Sequence, residues 1–499
     1  MNAAVATKTS APSKTLGFVT LFLIEMWERF GYYGMTAVIV LFMIQKLGYT
    51  DDRANLTFSA FAAMAYAMPA IGGWIGDRVL GSRRTTILGA VVLTGGYVML
   101  SIPSPALLFP ALATVAVGGG IFKANPGNLI SKLYEGESAK LDSAFTMYYM
   151  AVNLGAFISQ TFTPLFAVWF GWHVAFALCA AGMVLGLLNY FFMRRHLAKV
   201  GSEPDFKPLD MRKFGAVLAG MMLCGVLITY IIQDLAVART IVYLAAFVAL
   251  AIFGIMFYKG SAGERKGTVA VLILTLQTVL FFIFYSQMST SLTLFALRNV
   301  DLHFIDFVLF GFHFDYTVPA GQVQVLNPFW IFVLSPPLAW LYDRLSKGKG
   351  DFHIATKFAF GFVLLSLGFF IYGSSGLFAV AGKISMWWMI WGYCLQSLAE
   401  LLIGGLGLAL VARFVGPKMR GFVMGVWFLA VGISQYAGGV VANYASVPQD
   451  VTDPLQTLPL YTHLCLSLGM VALVGTVLAI ALIPFMKWLS ATGGEALDH

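Results

Sequence analysis

Glu25, Glu28 and Arg29 stand together near the middle of a thirty-residue apolar run, TLGFVTLFLIEMWERFGYYGMTAVIVLFMI, residues 15–44. At helical spacing Glu25, Glu28, Arg29, Tyr32, Tyr33 and Thr36 recur at steps of three and four, so the charges and both phenols share one face. An ionised side chain at a bilayer centre costs roughly 2.5–3.5 kcal/mol on insertion scales. Three on one helix therefore require water, partners or a solute on that face. Two acids against one base also leave a carboxyl over, and such a group in a low-dielectric site is suited to taking up and releasing a proton. The bland alternative is that Arg29 neutralises one glutamate and the cluster only pins helix to helix.

Two further charges stand alone. Lys123 is the single charge in segment 106–130 and Glu400 the single charge in segment 384–412. Each needs a partner of opposite sign. The plain reading of either is a structural ion pair; if the two pair with each other, the pair is itself a gate.

The elements that must hold these groups follow from composition. The 499 residues are 59% hydrophobic and only 11% charged, with 43 Phe, 11 Trp and 51 Gly, and mean hydropathy is +0.82. No soluble domain has this balance. At about 20 residues per span, fourteen apolar segments are expected, near 15–45, 55–77, 85–103, 106–130, 143–168, 173–193, 213–233, 240–258, 269–297, 323–342, 354–373, 384–412, 420–443 and 461–486. With loops alternating sides, 24 of the 31 Lys and Arg fall on one side together with both termini, five on the other (Lys46, Arg53, Arg239, Arg298, Lys383), and Arg29 and Lys123 inside spans. The positive-inside rule puts both termini in the cytoplasm. That asymmetry also accounts for the net charge of +8 through anionic lipid headgroups, with no need of nucleic acid. The first run is too long and too charged for a signal-peptide core and is read as an uncleaved span. Cys179, Cys224, Cys394 and Cys465 lie in apolar segments without CxxC spacing, as reduced buried residues do.

The chain reads as duplicated. GGWIGDRVLGSRR follows the second span and LAWLYDRLSKGKG the tenth, so Trp74, Asp77 and Arg78 match Trp340, Asp343 and Arg344. Repeated halves with a midplane site are a transporter design. The expected division is 1–196, a two-helix insert 197–262 that packs only against lipid, and 263–499. Residues 298–322 form a loop of alternating apolar and polar character, either a short hairpin or a segment lying on the membrane surface.

These residues also carry a resemblance. EMWERFGYYGM, GGWIGDRVLGSRR, GGGIFKANPGNL, FTMYYMAVNLGAF, VLNPFWIFVLSPPLAWLYDR, AELLIGGLGLALVARFVGPK and MGVWFLAVGISQYAGG occur in order over nearly the whole chain. Together the chain resembles the proton-dependent oligopeptide transporters of the major facilitator superfamily. The resemblance implies an all-α polytopic membrane protein of two six-helix bundles plus two extra helices, fourteen spans in all. It implies a proton-coupled symporter importing di- and tripeptides across a bacterial inner membrane by alternating access. Glu25, Glu28 and Arg29 would couple the proton. Arg29 and Lys123 would hold the peptide carboxylate and Glu400 its ammonium, with Lys123 and Glu400 facing one another as an inner gate. Asn153 and Asn327 would meet the peptide bond, and Tyr32, Tyr33, Tyr66, Tyr149 and Trp427 would supply adaptable walls. Each tyrosine taken singly is as readily an ordinary packed aromatic. The expected partners are a di- or tripeptide, a proton and membrane lipid, with no cofactor, no metal and no nucleic acid, the chain acting as a monomer.

The sequence departs from the family pattern in pairs. Where members often carry an outer-gate arginine and a partner acid, Thr36 and Ser286 stand, so closure through hydroxyl hydrogen bonds and packing is expected. Phe282 replaces a tryptophan, and Gly404 and Gly405 replace a serine and a proline. No histidine occurs in the second span, so coupling should rest on carboxylates. Other classes are disfavoured: no HExxH, nucleophile elbow or Walker loop is present, and the few asymmetric charges do not make the rings of a channel.

Overall fold

The computed structural model describes residues 13–309, 312–346, 352–404 and 420–493. The first six spanning elements are α1 (Lys14–Gln45), α2 (Asp51–Val79), α3 (Ser82–Ser101), α4 (Pro105–Leu133), α5 (Ser138–Phe170) and α6 (Trp172–Leu197). A hairpin of α7 (Met211–Gln233) and α8 (Leu235–Lys259) follows. Then come α9 (Ala262–Asn299), α10 (Ala320–Tyr342), α11 (Ile354–Phe378), α12 (Met386–Ile403), α13 (Arg420–Ala442) and α14 (Pro454–Leu489). Twelve helices among the described residues are long and apolar enough to cross a membrane. α1, with its three central charges, and α12, whose expected remainder to 412 lies outside the described residues, complete fourteen.

Two six-helix bundles result. α1 packs on α5 and α6, and α3 on α4 and α6; in the second bundle α11 lies against α12 and α14. The bundles meet chiefly where α2 packs on α13 and where α5 meets the start of α10. The expectation that the α7–α8 hairpin touches only lipid is corrected: α7 lies on α4 and α2, α8 on α9 and α13. The Tyr436 hydroxyl donates to the Leu235 carbonyl of α8 (3.4 Å).

Several spans are interrupted, and proline chemistry explains two of the breaks. Pro126 removes an amide donor and disfavours helix just before it, so α4 is broken between Lys123 and Asn125. Pro69 interrupts α2 at Met68. α9 passes through a 3-10 turn at Ser286–Ser289 before resuming at Ser291, and α10 opens with a 3-10 turn over Ala320–Val325. Tyr66, Lys123, Ser286 and Asn327 thus lie at or beside breaks, where the backbone leaves its ideal path and a side chain can be aimed into the space between bundles.

The duplicated Trp-Asp-Arg segments end α2 and the helix that continues α10 to Ser346, at the end of the molecule rich in Lys and Arg. The first copy is a docking site for the linker before α7. Asp205 accepts from the Ser202 amide (2.9 Å) and the Arg83 amide (3.2 Å), beside Gly81, whose φ of 100° a side chain would strain. At the opposite end, β1 (Val300–Asp301) pairs in parallel with β4 (Ile384–Ser385), and β2 (Ile305–Leu309) pairs antiparallel with β3 (Phe312–Tyr316). Of the two readings open for residues 298–322, the hairpin is the one found.

Candidate functional site: a polar cavity between the bundles

The α1 cluster is buried: Glu25, Glu28 and Arg29 are 1%, 2% and 6% exposed. The Arg29 Nε donates to Glu25 Oε1 at 2.7 Å. The second Glu25 oxygen accepts from the Tyr148 hydroxyl of α5 at 2.5 Å. Glu28 Oε2 lies 3.1 Å from the same Nε but takes no hydrogen bond from any group among the described residues. Glu25 is the saturated carboxylate and Glu28 the one held by charge alone. Tyr148 went unread in the sequence, where its neighbour Tyr149 was the candidate; nothing in FTMYYM tells the two apart.

Lys123 closes the first segment of α4, where a cation meets the negative end of a helix. Its Nζ sits 4.2 Å from the centre of the Tyr66 ring, a cation–π contact. Glu400, on α12, accepts from Asn327 Nδ2 at 2.7 Å, and the same nitrogen reaches Ser397 Oγ at 3.1 Å. Ser397 also went unread, although it stands one helical turn before Glu400. The structure does not bring the expected inner pair together: among the described residues no ion pair joins Lys123 to Glu400. They belong to opposite bundles, Lys123 held against Tyr66 and Glu400 against Asn327.

One cavity between the bundles gathers Tyr32, Tyr33, Thr36, Tyr66, Ser286 and Asn327, with Tyr285, Ser289, Gln160, Gln324 and Gln435 completing its polar lining. Lys123 and Glu400 flank it through their contacts with Tyr66 and Asn327. The Tyr66 and Phe282 rings are 6.4 Å apart, and Phe282 and Trp427 6.5 Å, giving an aromatic wall in which Trp427 Nε1 has no hydrogen-bond partner among the described residues. Tyr149 is 42% exposed; Asn153 is turned back on the Tyr149 carbonyl (3.0 Å).

Thr36 and Ser286 face this cavity without bonding each other. Thr36 Oγ1 donates to the Tyr33 carbonyl (3.1 Å) and Ser286 Oγ to the Ile283 carbonyl (2.9 Å). The bundles are instead joined beyond them. Asp51, at the start of α2, receives Arg298 Nη1 (2.6 Å) and Nη2 (2.8 Å) and the Val447 amide (3.0 Å), and Arg298 also donates to the Tyr461 hydroxyl (2.5 Å). Asn55 bonds Asn443 (3.1 Å), Gln449 the Gly48 carbonyl (2.9 Å) and Gln322 the Thr161 carbonyl (2.9 Å). These side-chain hydrogen bonds between the bundles lie at the Lys- and Arg-poor end. The cavity is closed there.

The family model described as PTR2, POT family, matches residues 83–458. Dipeptide and tripeptide permease B of Salmonella typhimurium is 41% identical over 495 residues, 97% of this chain and 99% of the relative. Dipeptide and tripeptide permease A of Pectobacterium carotovorum is 42% identical over 485 residues, 96% and 93% of the two chains. Among solved structures, tetrameric PepTSo2 superposes with a TM-score of 0.86 at 51% identity, over 95% of this chain and 99% of its own. A peptide transporter POT crystallised with sulfate gives 0.81 at 27%, over 95% of each. With the family model spanning most of its length, the chain belongs to the POT family.

Proposed function

We propose that this protein is a proton-coupled symporter that carries di- and tripeptides inward across a bacterial inner membrane, with both termini in the cytoplasm. The observation that supports this reading best is the division of charge around one cavity. Arg29 and Lys123 belong to one bundle and Glu400 to the other. A dipeptide zwitterion needs this arrangement, a cation for its carboxylate and a carboxylate for its ammonium, with neutral donors and acceptors between. In this reading Asn327 and Asn153 meet the peptide bond, Asn153 after leaving the Tyr149 carbonyl, and Tyr66, Phe282 and Trp427 receive side chains of differing size.

In this reading residues 1–196 and 263–499 rock about the site while 197–262 rides on both. Protonation of Glu28 from outside loosens its hold on Arg29, which then takes the peptide carboxylate. Substrate and proton together lower the cost of closing a charged cavity, and the cavity opens inward. Lys123 and Glu400 approach when the inner end closes and separate when it opens; the lack of an ion pair between them among the described residues is consistent with the second state. Release of the proton restores the pull of Glu28 on Arg29. Each proton contributes about 2.3 kcal/mol per 100 mV of membrane potential, plus its pH gradient. One chain completes the cavity, which supports a monomer as the transporting unit.

The test is uptake of labelled dialanine into vesicles reconstituted with the purified protein, with and without an imposed inward proton gradient. Gradient-driven accumulation, competed by other dipeptides but not by nitrate or free alanine, is the expected result. Accumulation that ignores the gradient, or competition by nitrate, would overturn the reading.

A further inference from the structure

The charge layout leaves unused the amide chemistry of the cavity lining. Gln160, from α5, and Gln435, from α13, line the same space from opposite bundles. Both are 5% exposed. Each keeps one fully buried polar atom without a hydrogen-bond partner among the described residues: Gln160 its Oε1 acceptor, Gln435 its Nε2 donor. The third carboxamide of the lining, Gln324, is by contrast engaged at both ends, accepting from Ser289 Oγ (3.3 Å) and donating to Thr293 Oγ1 (2.9 Å).

A buried donor or acceptor left unpaired costs about 1–3 kcal/mol. Two such groups of opposite sense, one on each wall of a cavity, are what a ligand carrying a donor and an acceptor would satisfy together. Exchanging O and N of either amide changes which atom is orphaned but not the need. None of the described residues lining this space is Asp, Glu, Lys or Arg; the flanking charges Lys123 and Glu400 are engaged with Tyr66 and Asn327, so a charged side chain seated between the two glutamines would meet no direct counter-ion. The aromatic wall of Tyr66, Phe282 and Trp427 offers apolar side chains a different surface.

We propose that Gln160 and Gln435 form a neutral polar subsite that selects peptides bearing a carboxamide or hydroxyl side chain. Such a side chain donates to one glutamine and accepts from the other, bridging the two bundles. Neutral polar peptides are thereby favoured over acidic and basic ones at this position. The proposal rests on the peptide reading given above and adds a side-chain preference to it.

The experiment measures inhibition of labelled dialanine uptake in reconstituted vesicles by Ala-Gln, Gln-Ala, Ala-Leu, Ala-Glu and Ala-Lys. It compares the native protein with Gln160→Leu, Gln435→Leu and Gln160→Glu. The readout is the ratio of half-inhibitory concentrations, amide peptide to Ala-Leu, which is insensitive to changes in maximal uptake. Either leucine substitution is expected to raise that ratio about tenfold for the tighter of Ala-Gln and Gln-Ala, the equivalent of about 1.4 kcal/mol. Gln160→Glu is expected to shift preference toward Ala-Lys and away from Ala-Glu, a gain that a merely damaged protein does not show. An unchanged ratio in the leucine variants, or Gln160→Glu with native selectivity between Ala-Lys and Ala-Glu, would overturn the subsite while dialanine uptake by the native protein left the peptide reading standing. Absence of dialanine uptake by the native protein would overturn both.

Discussion

Two carboxylates three residues apart on one helix have different partners. Glu25 takes hydrogen bonds from Arg29 and Tyr148, whereas Glu28 Oε2 has only the nearby Arg29 charge. Glu28, the acid whose Oε2 takes no hydrogen bond among the described residues, is the one proposed above to carry the proton. Glu28→Gln should abolish gradient-driven accumulation in vesicles while exchange of internal for external dipeptide persists; full accumulation would remove Glu28 from the mechanism. Tyr148→Phe takes away a donor to an ion, worth about 1.5–3 kcal/mol. It should lower the melting temperature of the purified protein and change the pH dependence of uptake; an unchanged melting curve would make the Tyr148 contact incidental. The charges were legible because a span tolerates so few of them. The partners were not. Tyr148 and Tyr149 are adjacent and of one type, and only the packing of α5 on α1 selects between them.

Among the elements, the apolar spans were plain from composition, while their interruptions and the parts outside them were less so. The alternation in HFIDFVLFGFHFDY suited both a strand pair and a surface segment, since each presents one apolar side. The structure forms β2 and β3, with Asp306 opposite Asp315. Two like charges directly across a ladder repel, and a histidine stands beside each: His313 Nε2 lies 2.7 Å from Asp306 and His303 Nε2 3.0 Å from Asp315. The bond to Asp306 raises the affinity of His313 for its proton above the ordinary value of 6.5, and the same bond holds Asp306 below its ordinary 3.8. The His313 contribution is therefore complete below pH 6.5 and is lost as pH rises through its raised folded value. The Asp306 contribution is present above pH 3.8 and is lost as pH falls through its lowered value. The hairpin should be tightest between these limits, on the acidic side of neutrality. Phe304 packs on Trp387 with ring centres 5.4 Å apart, so limited proteolysis of the hairpin, followed by Trp387 fluorescence, should quicken above pH 6.5, and His313→Asn should flatten that dependence. A native cleavage rate that does not vary from pH 5 to 8 would dismiss the pairing. The α7–α8 hairpin was visible as two spare spans, but its seat on both bundles depends on contacts that no local pattern encodes.

At the scale of the whole molecule the question is what holds one end of the cavity shut. Thr36 and Ser286 were a reasonable expectation, because both charges of the usual outer pair are absent at once. Yet each hydroxyl is satisfied within its own helix, and closure falls to Asp51 and Arg298, 247 residues apart. In the sequence Arg298 is one of five basic residues on the sparse side and Asp51 stands in no motif, because a pair so distant leaves no periodic trace. Asp51 is 2% exposed and the Arg298 side chain 19%. Removing one partner of a fully buried pair costs about 3–5 kcal/mol, and partial exposure reduces this to about 2. If the pair forms only when this end is closed, Asp51→Asn or Arg298→Gln should shift the balance toward the state open at this end by about thirtyfold. A cysteine placed at Thr36 should then react faster with an impermeant maleimide supplied from outside. Exchanging the charges, Asp51→Arg with Arg298→Asp, should recover only part of the closure. The Val447 amide would lose its acceptor, and an aspartate at 298 would not reach the Tyr461 hydroxyl as the guanidinium does. Labelling rates equal in the native protein and both single variants would mean that packing of α2 on α13 closes this end unaided, and that the Asp51–Arg298 pair merely decorates it.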